Sequence, residues 1–86
     1  MRLDKYLKVA RIIKRRTLSK EMLDLGRVYI DGRVAKPSTE VKINSILTIK
    51  MRDRSITIKV LNIKESVKAE EANSLYEVIG EEIYGK

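Results

Sequence analysis

The segment "GRVYIDGRVAK", residues 26–36, decides how this chain is read. Val28, Tyr29 and Ile30 precede Asp31-Gly32, and Val34 follows it. An Asp-Gly pair between two β-rich runs predicts a two-residue hairpin, because both turn positions need positive φ. Gly26, just upstream, is where a preceding helix is expected to stop. The chain therefore switches at Gly26 from helical to strand-like periodicity.

Upstream, "MRLDKYLKVA" (1–10) places Leu3, Tyr6, Leu7 and Ala10 at i, i+3, i+4 and i+7, the apolar stripe of an amphipathic helix. Asp4 sits in its first turn, where the helix dipole favours an anion. "RIIKRR" (11–16) breaks that period and reads as a turn with Ile12 and Ile13 tucked beneath it. Thr17 is the expected N-cap of a second helix, "LSKEMLDL" (18–25), although Lys20 stands where a capping box places Glu. Leu18, Met22 and Leu25 form the expected stripe of that helix, and Ile12, Ile13 and Leu18 are expected to fasten the region to the sheet.

Downstream, Pro37 and Ser38 end the hairpin. Asn44-Ser45 forms a tight turn before a strand from about Ile46. "RDR" (52–54) turns again into "SITIKVLNI" (55–63), with Ile56, Ile58 and Val60 on one face. "KAEEANSLYEVIGEE" (68–82) reads as a helix with Ala72, Leu75, Tyr76 and Ile79 on one side and Gly80 near its end. The order α-α-β-β-β-β-α predicts an α+β fold: two N-terminal helices on a small, mostly antiparallel sheet of four to five short strands, with a C-terminal helix. A chain of 86 residues fits a single domain, 1–86.

Composition narrows the function. No Cys and no His are present, which removes disulfides, thiolate chemistry, the commonest general base and the commonest metal ligand. No Gly-rich phosphate loop follows a strand. Glu70, Glu71, Glu77, Glu81 and Glu82 read as the solvated side of the last helix rather than a catalytic pair. The expectation is a protein that is not an enzyme and takes no cofactor, metal or small-molecule substrate. No apolar run approaches a membrane span, so a cytoplasmic protein is expected.

The net charge is +7, and its location is informative. Residues 1–37 hold 11 Lys or Arg against 4 Asp or Glu, giving +7, whereas residues 38–86 hold 8 of each. All of the excess lies in the helices and hairpin, the footprint of a polyanion-binding face. Lys and Arg neutralise phosphates, and Arg adds bidentate contact. The candidate contacts are Arg2, Lys5, Lys8, Arg11, Lys14, Arg15, Arg16, Lys20 and Arg27. With no Trp or Phe, stacking on single strands is disfavoured, and recognition of structured nucleic acid by shape and phosphate is expected. Two helices joined by a tight turn also fit a DNA-reading helix-turn-helix, and composition alone leaves both readings open.

"RLDKYL" (2–7), followed by "RRTLSKEMLDLGRVYIDGRVAKPSTEVK" (15–42), resembles the RNA-binding domain named after small-subunit ribosomal protein S-four. The matching features are Arg16, Thr17, Gly26, Arg27, Val28, Ile30, Asp31, Gly32 and the Lys36-Pro37-Ser38 run. They span a core of about residues 1–50, with 51–86 as an extension. Asn44-Ser45 and Asp31-Gly32 depart from the family's usual Gly-Asp and Asn-Gly, yet both serve the same turns. The short length and the ending "KAEEANSLYEVI" (68–79) are similar to single-domain relatives of the heat-shock protein fifteen group, and "MRLDKYLKV" (1–9) with "IKRRT" (13–17) and "SKE" (19–21) resembles the stand-alone RqcP (YabO) family. The resemblance implies a monomeric ribosome-associated quality-control factor on obstructed large subunits. Its implied partners are large-subunit rRNA, P-site tRNA and RqcH, the factor that supports C-terminal alanine tailing. It also implies that Arg16 contacts RNA. General rRNA-binding assembly, or an accessory role beside a modifying enzyme, are the alternatives.

Overall fold

A computed structural model describes residues 1–13 and 16–84, without the side chains of Arg16 and Thr17. Helix α1 spans Leu3–Val9 and α2 spans Arg16–Asp24. Strands β1 (Val28–Ile30), β2 (Arg33–Val34), β3 (Ile46–Lys50) and β4 (Arg54–Val60) follow, then a 3-10 helix (Ala69–Leu75) and β5 (Tyr76–Ile83). The strands form one sheet in the order β2-β1-β3-β4-β5, with every neighbouring pair antiparallel. The α+β fold with two N-terminal helices on such a sheet is as the sequence predicts.

The hairpin forms on the anticipated residues. Tyr29 pairs with Val34 and Ile30 with Arg33, leaving Asp31 and Gly32 as the loop at φ 50 and 85. Asp31 does more than turn the chain. Its N–H donates to the Ile46 carbonyl at 2.8 Å and its Oδ1 accepts from the Ile46 N–H at 3.0 Å. The hairpin tip thereby fixes where β3 begins. Asn44, at φ 76, makes the turn before β3.

One apolar cluster joins the helices to the inner sheet face. Leu3, Tyr6, Leu7 and Ala10 of the first stripe are buried, as are Val28, Leu47, Ile49, Ile58 and Val60 across β1, β3 and β4. Each such Leu or Ile contributes about 1.5–3 kcal/mol of burial. The Lys36-Pro37-Ser38 run gains a physical role here. The first N–H groups of a helix lack partners within it. The Leu3 N–H donates to the Thr39 carbonyl at 2.8 Å and the Asp4 N–H to the Pro37 carbonyl at 3.2 Å. The loop after the hairpin caps α1, and Val41 N–H to Met1 carbonyl, 2.9 Å, holds the chain start beside it.

Three expectations change. First, α2 buries Ser19, Met22 and Leu23, while Leu18 and Leu25 are 41% and 64% exposed. The i, i+3, i+4 set faces the core, so the Leu18-Met22-Leu25 stripe is not the packing face. Leu18 therefore does not fasten this region; Ile13 is buried and Ile12 packs at the core's margin. Second, α2 already includes Arg16 and Thr17, so Thr17 lies in its first turn rather than at its cap.

Third, the C-terminal helix is a seven-residue 3-10 helix, and the rest of its expected span is strand. Ala72 and Leu75, three apart, match the three-residue repeat of a 3-10 helix and are its buried residues. Tyr76 is then fully extended, and Tyr76–Ile83 covers the edge that β4 would otherwise leave open. The aromatic and β-branched residues Tyr76, Val78, Ile79 and Ile83 favour strand. A bulge opposite Thr57 and Ile58 accommodates Ile79, and Gly80 pairs with Thr57 instead of ending a helix.

Candidate nucleic-acid interface

The burial of Leu3, Tyr6 and Leu7 turns the other side of α1 outward, carrying Lys5 and Lys8. Arg11 follows the helix at φ 56, a left-handed conformation unusual for a side-chain-bearing residue, and its N–H donates to the Lys8 carbonyl at 3.2 Å. That conformation closes the helix end and leaves the Arg11 side chain in solvent.

Arg2 precedes α1 in an extended conformation and its backbone forms an isolated antiparallel β-bridge with Glu40. Its guanidinium meets Asp4 in a two-pronged contact, Nε to Oδ1 and Nη2 to Oδ2, both 3.2 Å. Asp4 Oδ1 also accepts the Lys5 N–H at 2.8 Å. Such an exposed pair adds at most about 1 kcal/mol to stability. Its chemical effect is to hold the Arg2 fork in one orientation, while its remaining N–H groups have no partner among the described residues and can meet an external acceptor.

Lys5 pairs with Glu65, sixty positions away in the loop between β4 and the 3-10 helix. The Lys5 ammonium hydrogen bond holds the Glu65 carboxyl below the usual carboxylate range. Both residues line an open groove of about 250 Å³. Lys5, Lys8, Val9 and Arg11 line one side of it, and Glu65 and Val67 the other.

On the second helix, Lys20 is exposed beside buried Ser19. Arg27 follows Gly26, which sits at φ 73. The Arg27 N–H donates to the Met22 carbonyl at 2.9 Å, and its own carbonyl accepts from the Lys50 N–H at 2.8 Å. Arg27 is thus fixed between α2 and β3 with its side chain exposed. Among the described residues, Lys8, Arg11, Lys20 and Arg27 have no carboxylate within 4.0 Å. Lys14 and Arg15 lie outside the described residues. Arg16 is the first residue of α2, and its side chain is not described.

The structure brings Arg2, Lys5, Lys8 and Arg11 to the outer side and ends of α1, and places Lys20 and Arg27 on α2 and the junction after it. Two contacts of charged side chains had no signal in the sequence. Glu65 is far from Lys5 in the chain, and nothing local marks it as the partner. Lys50 lies 4.8 Å from the Tyr29 ring centroid, a cation–π contact on the outer sheet face. The register of Tyr29 opposite Thr48 makes Lys50 its diagonal neighbour, which becomes visible only once β1 and β3 are paired.

A buried hydrogen bond joins the apolar packing in holding the α1 layer to the C-terminal segment. The Tyr6 hydroxyl donates to the Leu75 carbonyl at 2.7 Å. The same oxygen accepts the Leu61 N–H at 2.9 Å and the Asn62 N–H at 3.2 Å. Burial, reinforced by Tyr76 nearby, pushes the Tyr6 phenol far above its ordinary pKa, so it remains a donor. Among the described residues, no three acidic side chains cluster to hold a metal ion, and no helix is long and apolar enough to cross a membrane.

A family model described as the S4 domain matches residues 1–47. The chain is 51% identical over 81 residues to the RQC P-site tRNA stabilizing factor of Streptococcus pneumoniae, covering 94% of this chain and 92% of that protein. It is 50% identical over 86 residues to the protein of the same name from Halalkalibacterium halodurans, covering 100% and 98%. Among solved structures, the trimeric heat shock protein 15 of Vibrio cholerae superposes with a TM-score of 0.82 at 37% identity, covering 91% of this chain and 80% of that one.

Proposed function

This chain belongs to the S4-domain family, with the RQC P-site tRNA stabilizing factors among its near relatives, and from that premise we propose that it is an RNA-binding factor of ribosome-associated quality control. It binds obstructed large ribosomal subunits through rRNA and the P-site peptidyl-tRNA, and supports RqcH-dependent alanine tailing of stalled chains. It acts without catalysis, as a cytoplasmic monomer and one RNA-binding domain. The observation that carries this reading is the match along nearly the whole chain to relatives named for stabilizing P-site tRNA.

The exposed cations support it from the physical side. Arg2 is pre-oriented, and Lys8, Arg11, Lys20 and Arg27 are unpaired among the described residues. Charges held on helices present phosphate contacts in a fixed geometry. Arg16, with Lys14 and Arg15, joins this set on the family's pattern.

The test is co-sedimentation of Arg2→Ala and Arg16→Ala variants with large subunits carrying peptidyl-tRNA, with circular dichroism as the folding control. Both variants are expected to fold and to lose association, and wild-type binding is expected to weaken steeply with salt. Unchanged co-sedimentation of both variants removes the basic face from the mechanism. Preference for a duplex DNA sequence over tRNA or large-subunit RNA in competition overturns the reading in favour of a DNA regulator.

A further inference from the structure

We propose that the groove beside Lys5, Lys8 and Arg11 is a phosphodiester site of the RNA interface, and that the Glu65 carboxylate holds its place in the free protein. This rests on the RNA-binding reading above. Among the described residues that line it, three are cations and Glu65 is the single acid. Glu65 bonds to Lys5, one of those cations. A carboxylate on an ammonium offers the same contact that a phosphate oxygen makes. Glu65 is therefore an internal competitor for the ligand rather than a brace for the fold. As an exposed ion pair it adds little to stability.

The loop is built so that the competitor can leave. Ile63 and Val67 pack against the core on either side of Glu65. The Leu61 and Asn62 N–H groups are bonded to the Leu75 carbonyl, and the Asn62 side chain accepts the Ile63 N–H at 2.8 Å. The Glu65 side chain is 77% exposed. It can swing into water by rotating its own bonds while the backbone stays in place. Lys5 is then free to join Lys8 and Arg11 on one phosphate.

The consequence is measurable as a salt dependence. In the wild-type protein, a phosphate reaching Lys5 displaces a carboxylate that then gathers a cation of its own. That contact releases almost no net counterion. With the carboxylate removed, the same contact adds about 0.7–0.9 to the steepness of log affinity against log salt. A unit charge about 4 Å from the site in water changes affinity about fivefold.

The experiment measures affinity of the full chain for an unmodified tRNA transcript across a potassium chloride series. Glu65→Gln is expected to bind about fivefold more tightly at low salt. Its salt slope is expected to be steeper by about 0.7–0.9. The gain should vanish in the Lys5→Gln/Glu65→Gln double variant. Thermal melts of the variants check the fold, and both substitutions fall on exposed side chains. Glu65→Gln binding equal to or weaker than wild type overturns the proposal. If Lys8→Ala and Arg11→Ala still weaken binding in that case, the RNA face itself stands. If those variants, Arg2→Ala and Arg16→Ala all leave tRNA affinity unchanged, the RNA-binding reading fails with it.

Discussion

Replacing Tyr6 by Phe removes one oxygen and tests whether the α1 layer is fastened to the C-terminal segment as the geometry implies. The hydroxyl is fully buried and donates to the Leu75 carbonyl at 2.7 Å. A net hydrogen bond of this kind is worth about 1 kcal/mol. The loss should not exceed that, because the Leu75 oxygen keeps two backbone donors, from Leu61 and Asn62, and is not orphaned. For a domain of this size the melting temperature should fall by about 4–8 °C. Urea denaturation at pH 7 should show a lower midpoint with an unchanged slope, since the unfolded surface is the same.

The pH dependence supplies a second, sharper arm. Burial raises the folded-state pKa of Tyr6, while the unfolded phenol titrates near 10. Above about pH 10 the unfolded chain releases a proton that the folded chain retains, so wild-type stability falls by about 1.4 kcal/mol per pH unit through this group. The contribution is complete below the unfolded pKa. The Tyr6→Phe variant has no such proton, and the other titrating groups cancel in the difference between the two proteins. The wild-type advantage should hold steady up to about pH 9.5, then shrink and reach zero between about pH 10.5 and 11. A difference that stays flat through pH 11 refutes the buried donor. A difference below about 0.3 kcal/mol at pH 7 refutes the role of this bond in docking α1.

Two further outcomes follow from backbone geometry. Arg11→Gly relieves the left-handed conformation at φ 56 and should raise stability by about 0.5–1 kcal/mol in urea titrations, while weakening RNA binding through the lost charge; a loss of stability contradicts the assignment of strain at this site. Gly32→Ala places a side chain at φ 85 with no atom within 4 Å of the added carbon, so its cost is purely conformational; it should destabilise by about 1 kcal/mol, and an unchanged urea midpoint contradicts the turn geometry.

Much of the fold was legible because the signals were local. Asp31-Gly32 names its own turn, and the strands on either side follow from it. The spacing of Leu3, Tyr6, Leu7 and Ala10 sets which side of α1 is buried and therefore which side carries Lys5 and Lys8. The second helix was read less well. The expected stripe, Leu18-Met22-Leu25, and the set that is buried, Ser19-Met22-Leu23, share a residue, and which one packs depends on what the sheet presents. The segment 76–83 failed for a related reason. The run "YEVIGEEI" mixes aromatic and β-branched residues that favour strand with glutamates that favour helix, and the open edge of β4 recruits it as a strand.

The sequence by itself determined the hairpin, the amphipathic first helix and the concentration of all net positive charge in residues 1–37, because each depends on neighbours within one or two turns of chain. Only the tertiary structure decided that Pro37 and Thr39 cap α1, that Tyr6 bonds the Leu75 carbonyl, and that Glu65 occupies Lys5. Those partners lie more than thirty residues apart. Their meeting is set by sheet order and packing, which no local spacing encodes.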